Sequence, residues 1–550
     1  MTPVPACGIP ESDKPAAPRR DFVVLVLLWL IVTAYNYSKA YHIDDTAYLE
    51  IAKWIAGHPF HLMSGILNWS GIDEPIYKTN QPHLFLYLMA LRSMLFGFGE
   101  HAQHLLQAIA AMMCIVLFYR LARFFAGDTA VWLTAVMILG PAFIISQNIM
   151  VDIPLLAAWL GFFNLLICGV RDENQTRRYF GASLACSAAL LIKYTSLALL
   201  PILCLSLLME RRRKQYWTAL LPLGALAGWS LFNYADYGAI HLLTRPIAGK
   251  SAMEPLRLFG AVIVAVGGVS PMGLIDFVES DSRLMRRRGI IYSTVALGLA
   301  GLVAVTTAGW LSAGWSRLLL WAAFVINGTL NLACILPAAR ELVSRKIWKG
   351  KLAPDTAPVL YLVLWAGGTT LFYVLLSPLI AVRHVLLILP PLCLIAGYRH
   401  GKSLRGASMA FGLTMTVLLS AGLGISDWRF AEFERSEAPA VMRWLPKTGT
   451  VWASGHWGWQ WYTGLAGMPQ VDVEKSKLQA GDYPAVAELE DPQKLKSPPP
   501  MHLVRTLEPT RAFYDLFCTR TFYGTPAGIG PWVIGQSCGN RIEVFRVDEK

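Results

Sequence analysis

Charge is what this sequence has least of. Only 15% of its 550 residues are Asp, Glu, Lys or Arg, where soluble chains carry about a quarter. Hydrophobic residues make up 55%, and the mean hydropathy is +0.45. The deficit is concentrated in apolar runs of about twenty residues, the length that crosses a hydrocarbon core. That excludes an ordinary soluble enzyme. Several catalytic signatures are also missing. There is no His-Glu-x-x-His and no Cys-x-x-Cys, and "AGKSA" at 248–252 lacks the upstream glycine of a phosphate-binding loop. No soluble nucleotide-sugar-binding domain is evident. Cys114, Cys168, Cys186, Cys204, Cys334 and Cys393 lie in apolar runs and read as small hydrophobes. Cys518 and Cys538 lie in a polar region and are placed to pair in an oxidising compartment. No small-residue cleavage site follows "FVVLVLLWLIVTAYNYSKA", so this run is an uncleaved first span rather than a signal peptide.

What is present is a series of spans. The pattern predicts an α-helical polytopic membrane protein with about thirteen of them. They fall at 22–40, 103–120, 129–147, 152–170, 181–195, 196–209, 216–235, 257–276, 289–311, 317–337, 357–377, 384–398 and 406–425. The formal charge of +12 sits largely in short connections such as "RRRK" at 211–214 and "RRR" at 286–288. Such clusters set topology and do not point to nucleic acid. Most Lys and Arg fall on the side of the N-terminal tail, which the positive-inside rule makes cytoplasmic. The expected division is a cytoplasmic tail, 1–21, a membrane domain, 22–425, with a first outer loop at 41–102, and a small α/β domain, 426–550, outside. Its strand-like segments are "GTVWASG", "DYPAVAE", "MHLVRTL" and "RIEVFRV". Trp457, Trp459, Trp461 and Tyr462 suit sugar stacking, a membrane interface or a docked core.

With this orientation the unusual polar residues gather on the outer lip: Asp44, Asp45, Asp152, Lys193, Arg245, Arg383 and His384. A transporter needs polar groups near the midplane. An enzyme acting on a lipid headgroup needs them at one interface, and the sequence favours that class. In the outer loop, "DDTAYLEIAKWIAG" reads as an interfacial amphipathic helix capped by Asp44, with Ala47, Tyr48, Ile51, Trp54 and Ile55 as its apolar stripe. A second helix is expected from Pro82 to Phe96.

These residues carry a family resemblance. Asp44-Asp45 followed by Tyr48 resembles the Asp-Glu-x-x-Tyr motif of polyprenyl-phosphate-dependent glycosyltransferases. "NQPHLFLYLMAL", "QNIMVDIPLLAAW", "LIKYTSLALLP" and "RHVLLILPPLCLIAG" resemble that family's later segments, in its order, over residues 22–400. Asp45 stands where relatives often have Glu, and His83 where they often have Pro. The family includes protein O-mannosyltransferases and the aminoarabinose transferase of lipid A, and its membrane fold is called GT-C.

The resemblance implies an inverting transferase that moves a sugar from a polyprenyl-phosphate donor to a lipid, glycan or protein acceptor. The reaction would take place at the periplasmic face of an inner membrane. Asp44 is the expected base, with Asp152 and Asp45 as further catalytic carboxylates. Arg383, Lys78, Arg245 and Lys193 are expected to bind the phosphate, and Tyr48 and His83 to bind substrate. His42, His58 and His61 supply ligand types for zinc or manganese at irregular spacing, which leaves a divalent metal open. The alternative class is a lipid or glycan transporter or flippase, with an O-antigen-ligase-like enzyme as a third reading.

Overall fold

The computed structural model describes residues 19–78, 82–244, 253–347, 352–401, 403–404, 406–509, 516–524, 530–534 and 541–549. It is predominantly helical. Six segments are long and apolar enough to cross a membrane by length and composition: Glu100–Ile138, Asp152–Arg171, Arg288–Thr307, Ala313–Ser344, Ala357–Leu376 and Ala407–Trp444. A further pair, Glu254–Gly267 and Met272–Ser280, bends by 82° and counts as a seventh if taken as one broken span. The expected thirteen drew on shorter pieces. The region 196–209 enters through a 3-10 turn, Tyr194–Ala198, before the helix Leu199–Met209. The region 384–398 becomes a continuous helix only from Leu389, after a four-residue turn at Val382–Val385. Both breaks fall where polar residues project toward the candidate site.

Close helix packing fixes the bent pair. A Cβ on Gly267 would stand 1.9 Å from the Phe324 carbonyl oxygen, and one on Gly328 1.9 Å from the Ile263 carbonyl oxygen. Small residues let helix backbones meet in this way inside a membrane. Gly328→Val is therefore expected to force the two helices apart and cost about 1–3 kcal/mol, read as a lowered melting temperature in detergent.

The C-terminal region forms a four-stranded sheet. Its spatial order is Val451–Ser454, Tyr483–Ala487, Ile542–Val547, Met501–Leu507; the first pair is parallel and the others antiparallel. The loop at 41–102 contributes a hairpin, Ile66–Asn68 with Asp73–Pro75, that docks on this region. Val473 N–H donates to the Gly71 carbonyl at 3.0 Å, Asn68 Nδ2 donates to the Val471 carbonyl at 3.3 Å, and Lys475 pairs with Asp73 at 2.8 Å. The aromatic run lies on the helix Trp457–Leu465, where Trp459, Trp461 and Tyr462 are buried. Tyr462 Oη accepts from the Tyr41 N–H at 2.8 Å, so these rings form a docked core and not an exposed sugar platform. Cys518 is disulfide-bonded; Cys538, its expected partner, lies outside the described residues.

The helix expected at the interface, Asp45–Gly57, is instead packed on several sides. Leu49 and Ala52 are buried along with Ala47, Ile51 and Ile55. It is held between the helix Leu84–Phe96 and the helix Trp457–Leu465. The amphipathic pattern identified the helix but not its neighbour, because the covering surface comes from the far end of the chain.

Candidate active site

Four segments distant in sequence meet at one partly open mouth. Arg383, on the turn Val382–Val385, donates from Nη1 to Asp44 Oδ2, and the same nitrogen lies 3.5 Å from Met150 Sδ. Deeper in, Lys193 Nζ donates to Asp152 Oδ1 at 2.9 Å. Lys193 ends the helix Gln175–Ile192 in extended backbone, and Asp152 opens the helix Asp152–Cys168. The outer pair remains reachable, with side-chain exposures of 24% for Asp44 and 18% for Arg383, whereas Asp152 and Lys193 are nearly enclosed. Two polar atoms facing this region have no hydrogen-bond partner, Asp152 Oδ2 and Arg383 Nε. Buried polar atoms are seldom left so without reason. Tyr48 stands within the electrostatic reach of Asp44, Arg383 and Asp152. Two cations and two carboxylates thus form a neutral, partly desolvated set.

The acidic pair is split. Ile43 has φ of +50°, a strained setting for a β-branched residue. This turn sends the neighbours of Ile43 to opposite sides. Asp44 takes the helix N-cap position but makes no side-chain cap hydrogen bond; its carboxylate goes to Arg383 instead. Asp45 is fully buried and accepts the His42 N–H at 2.8 Å. Asp45, expected as a further catalytic carboxylate, thus lies not at the mouth but in an interior cluster. There Lys39 donates to Asp427 and to Asn148 Oδ1 at 2.6 Å, and Tyr523 Oη donates to Asp427 at 2.8 Å. His42 Nε2 lies 3.7 Å from Asp427 and Nδ1 lies 3.9 Å from Glu434.

Burial pushes the Asp45 carboxyl from the ordinary carboxylate range up to about 8, opposed by the His42 N–H and by Lys39 and reinforced by Asp44 and Asp427; Glu434 faces the same cluster. Burial also holds the His42 ring neutral, down to about 3. The sign for stability follows directly. Between the unfolded pKa near 4 and the folded value near 8, the folded state holds the Asp45 proton that the unfolded chain has lost. Stability therefore falls as pH rises through that window, by at most about 1.4 kcal/mol per pH unit for one proton. Asp45→Asn, which keeps an acceptor for the His42 N–H, is expected to flatten the melting-temperature profile between pH 5 and 8. An unchanged slope would assign the pH dependence to another group.

The remaining expected residues are placed as follows. Lys78 is half exposed and pairs with Glu74 at 3.0 Å, and is not among the contacts of either acid–base pair. Arg245 lies outside the described residues. His83 is buried with its ring 5.8 Å from that of Trp229. Trp229 Nε1 donates to Tyr194 Oη at 2.8 Å, and Tyr194 Oη meets His241 Nδ1 at 3.0 Å. The charge count puts Tyr194 and His241 on the same lip as Lys193, and His83 was among the expected residues; Trp229, which joins them, was missed, since nothing in "AGWSLF" marks it as part of a site. The three histidines considered for a metal are separated: His42 is interior, His58 stacks on Trp54 at 3.7 Å, and His61 pairs with Asp236 at 3.3 Å. Among the described residues no group of three or more His, Cys, Asp or Glu side chains is arranged to hold a metal ion. Tyr373 and His384, stacked at 5.2 Å, sit beside Arg383 and were likewise missed as a pair.

Residues 80–234 match the family described as dolichyl-phosphate-mannose-protein mannosyltransferase. That match covers 155 of the 550 residues. The matched glycosyltransferase segment contains Asp152 and Lys193; Asp44 and Arg383 lie on either side of it. A solved structure of ArnT from Cupriavidus metallidurans bound to undecaprenyl phosphate is similar over 96% of this chain and 97% of that one, at 12% identity and TM-score 0.49. The oligosaccharyltransferase of Archaeoglobus fulgidus in complex with zinc and sulfate is similar over 82% of this chain and 62% of that one, at 13% identity and TM-score 0.47. No curated protein matches the sequence.

Proposed function

We propose that this protein transfers a sugar from a polyprenyl-phosphate donor to an acceptor at the outer face of an inner membrane. The observation that carries this reading is the Asp44–Arg383 pair at the mouth, backed by Asp152–Lys193. The family match over residues 80–234 supports it, and the disulfide at Cys518 fits an oxidising compartment for the C-terminal region.

Each residue has a task in the step. The acceptor O–H or N–H gives its proton to the Asp44 carboxylate as the heteroatom attacks the anomeric carbon. The bond from that carbon to the phosphate oxygen breaks, and its electron pair leaves with polyprenyl phosphate. Arg383 offers fixed N–H donors to the charge growing on the phosphate, and Lys193 adds a second cation held in position by Asp152. Arg383 engages Asp44. A donor phosphate competes for the same guanidinium and releases the carboxylate, so the base becomes available once the donor is bound.

The test compares the lipid, glycan and protein fractions of cells with and without the protein by mass spectrometry. One component should lose a mass equal to a single sugar in the cells lacking it, which identifies both sugar and acceptor. Identical fractions, together with uptake of a labelled lipid-linked sugar by the purified protein in vesicles, would establish a transporter instead.

A further inference from the structure

The opposite side of the bundle carries a second charged site. A cavity of about 750 Å³ is lined by Arg211, Arg212, Arg213 and Lys214, facing Glu173 to Thr176 at the start of the helix Gln175–Ile192. The four cations are not equivalent. Arg212 is engaged by Glu210, at 3.3 Å, and Glu210 also holds the buried Arg178 at 2.6 Å. Glu210 thereby anchors the loop from beneath. Arg211, with φ of +55°, and the exposed Arg213 and Lys214 surround the cavity, with Glu173 the one acidic side chain among its described lining residues.

The surroundings identify the occupant. The cationic loop stands at an abrupt boundary between polar and apolar surface. Leu208 is exposed just before it; Tyr216 and Trp217 are exposed just after it, with Phe180 beside Trp217 at 6.0 Å. Leu220, 65% exposed, and Leu223 then continue as bare apolar surface. Aromatic rings between a hydrocarbon-facing surface and a polar one mark the headgroup level of a bilayer. A loop that only set topology would need its charges near this level, but it would not need them gathered around a cavity.

We infer that the cavity binds the phosphate headgroup of an anionic phospholipid in the leaflet opposite the candidate active site. A soluble phosphate would find the same cations but would gain nothing from the apolar rim. The inference is independent of the proposed glycosyl transfer, since none of these residues belongs to that site.

The experiment uses the full-length protein and the variant Arg211→Gln/Arg213→Gln/Lys214→Gln, which spares Arg212 and its anchor Glu210. Both are placed in nanodiscs of phosphatidylcholine containing a small fraction of phosphatidylglycerol, and retained lipid is measured by native mass spectrometry after release into detergent. Each cation near an anionic surface contributes several-fold in affinity, so loss of three should reduce retained phosphatidylglycerol roughly ten- to a hundredfold. The melting temperature in pure phosphatidylcholine should match wild type, showing that the variant is folded. Equal retention by the two proteins would overturn the inference. So would displacement of the lipid from wild type by millimolar inorganic phosphate, which would assign the cavity to a soluble anion. If the triple variant fails to fold, Lys214→Gln alone is tested, with a several-fold loss expected and no loss counting against the site.

Discussion

Asp44→Asn is expected to lower turnover by about two to four orders of magnitude, the range associated with losing a positioned general base. The substitution is nearly isosteric and retains an oxygen for Arg383, so the mouth should keep its shape. It removes the proton acceptor and one negative charge. Arg383 then no longer faces a competing carboxylate, and donor phosphate should bind as well as before or better. The expected signature is a collapse in kcat with KM for the donor unchanged or lowered, the pattern of an interaction realised in the transition state. Asp44→Glu should recover part of the rate if proton transfer is its task. If Asp44 served only to hold Arg383 in place, the Asn variant would instead raise KM with kcat nearly intact. Steady-state kinetics on membranes, at equal amounts of folded protein, separates the two.

The second large effect belongs to stability. Lys39→Met removes the cation from the fully buried Asp427, which keeps the Tyr523 and Thr519 hydroxyls as donors and the neutral His42 ring at 3.7 Å. Breaking a buried ion pair from one side typically costs about 3–5 kcal/mol, because the surviving charge is stranded. Asp427 lies on the helix Ala407–Trp444, while Tyr523 and Thr519 belong to the region that follows it. The loss should therefore appear as loosening of the C-terminal region, seen as faster cleavage there by protease and a lower melting temperature. Lys39→Met combined with Asp427→Asn should recover part of the loss, since both charges are then gone. A double variant as unstable as the single would mean that Lys39 acts through packing of its stem.

The candidate site was legible in the sequence to the extent that its members are rare. Asp44, Asp152, Lys193 and Arg383 stand out because charge beside apolar runs is costly, and counting charges in the connections put all four on one side. Their pairing was not legible. It depends on the breaks at Lys193 and Val382–Val385, which interrupt otherwise apolar helices. Lys39 was passed over because a lysine at the end of a first span reads as an ordinary snorkelling charge. Only the packed structure carries it to Asp427. The Trp457–Tyr462 run was ambiguous for a related reason: aromatic residues suit a core, a membrane surface and a sugar alike, and the helix Asp45–Gly57 that covers them is about 400 residues away.

That separation sets a clock for synthesis. Lys39 and Asp427 are 388 residues apart, and at roughly 5–20 residues per second the lysine waits on the order of a minute for its counter-ion to emerge. During that time the loop at 41–102 cannot close over its interior charges. The interior cluster around Lys39 is therefore among the last parts of the chain to mature. A nascent protein that stalls before residue 427 carries an uncompensated lysine in its interior cluster, so the ion pair serves as a seal that only the nearly finished chain can set.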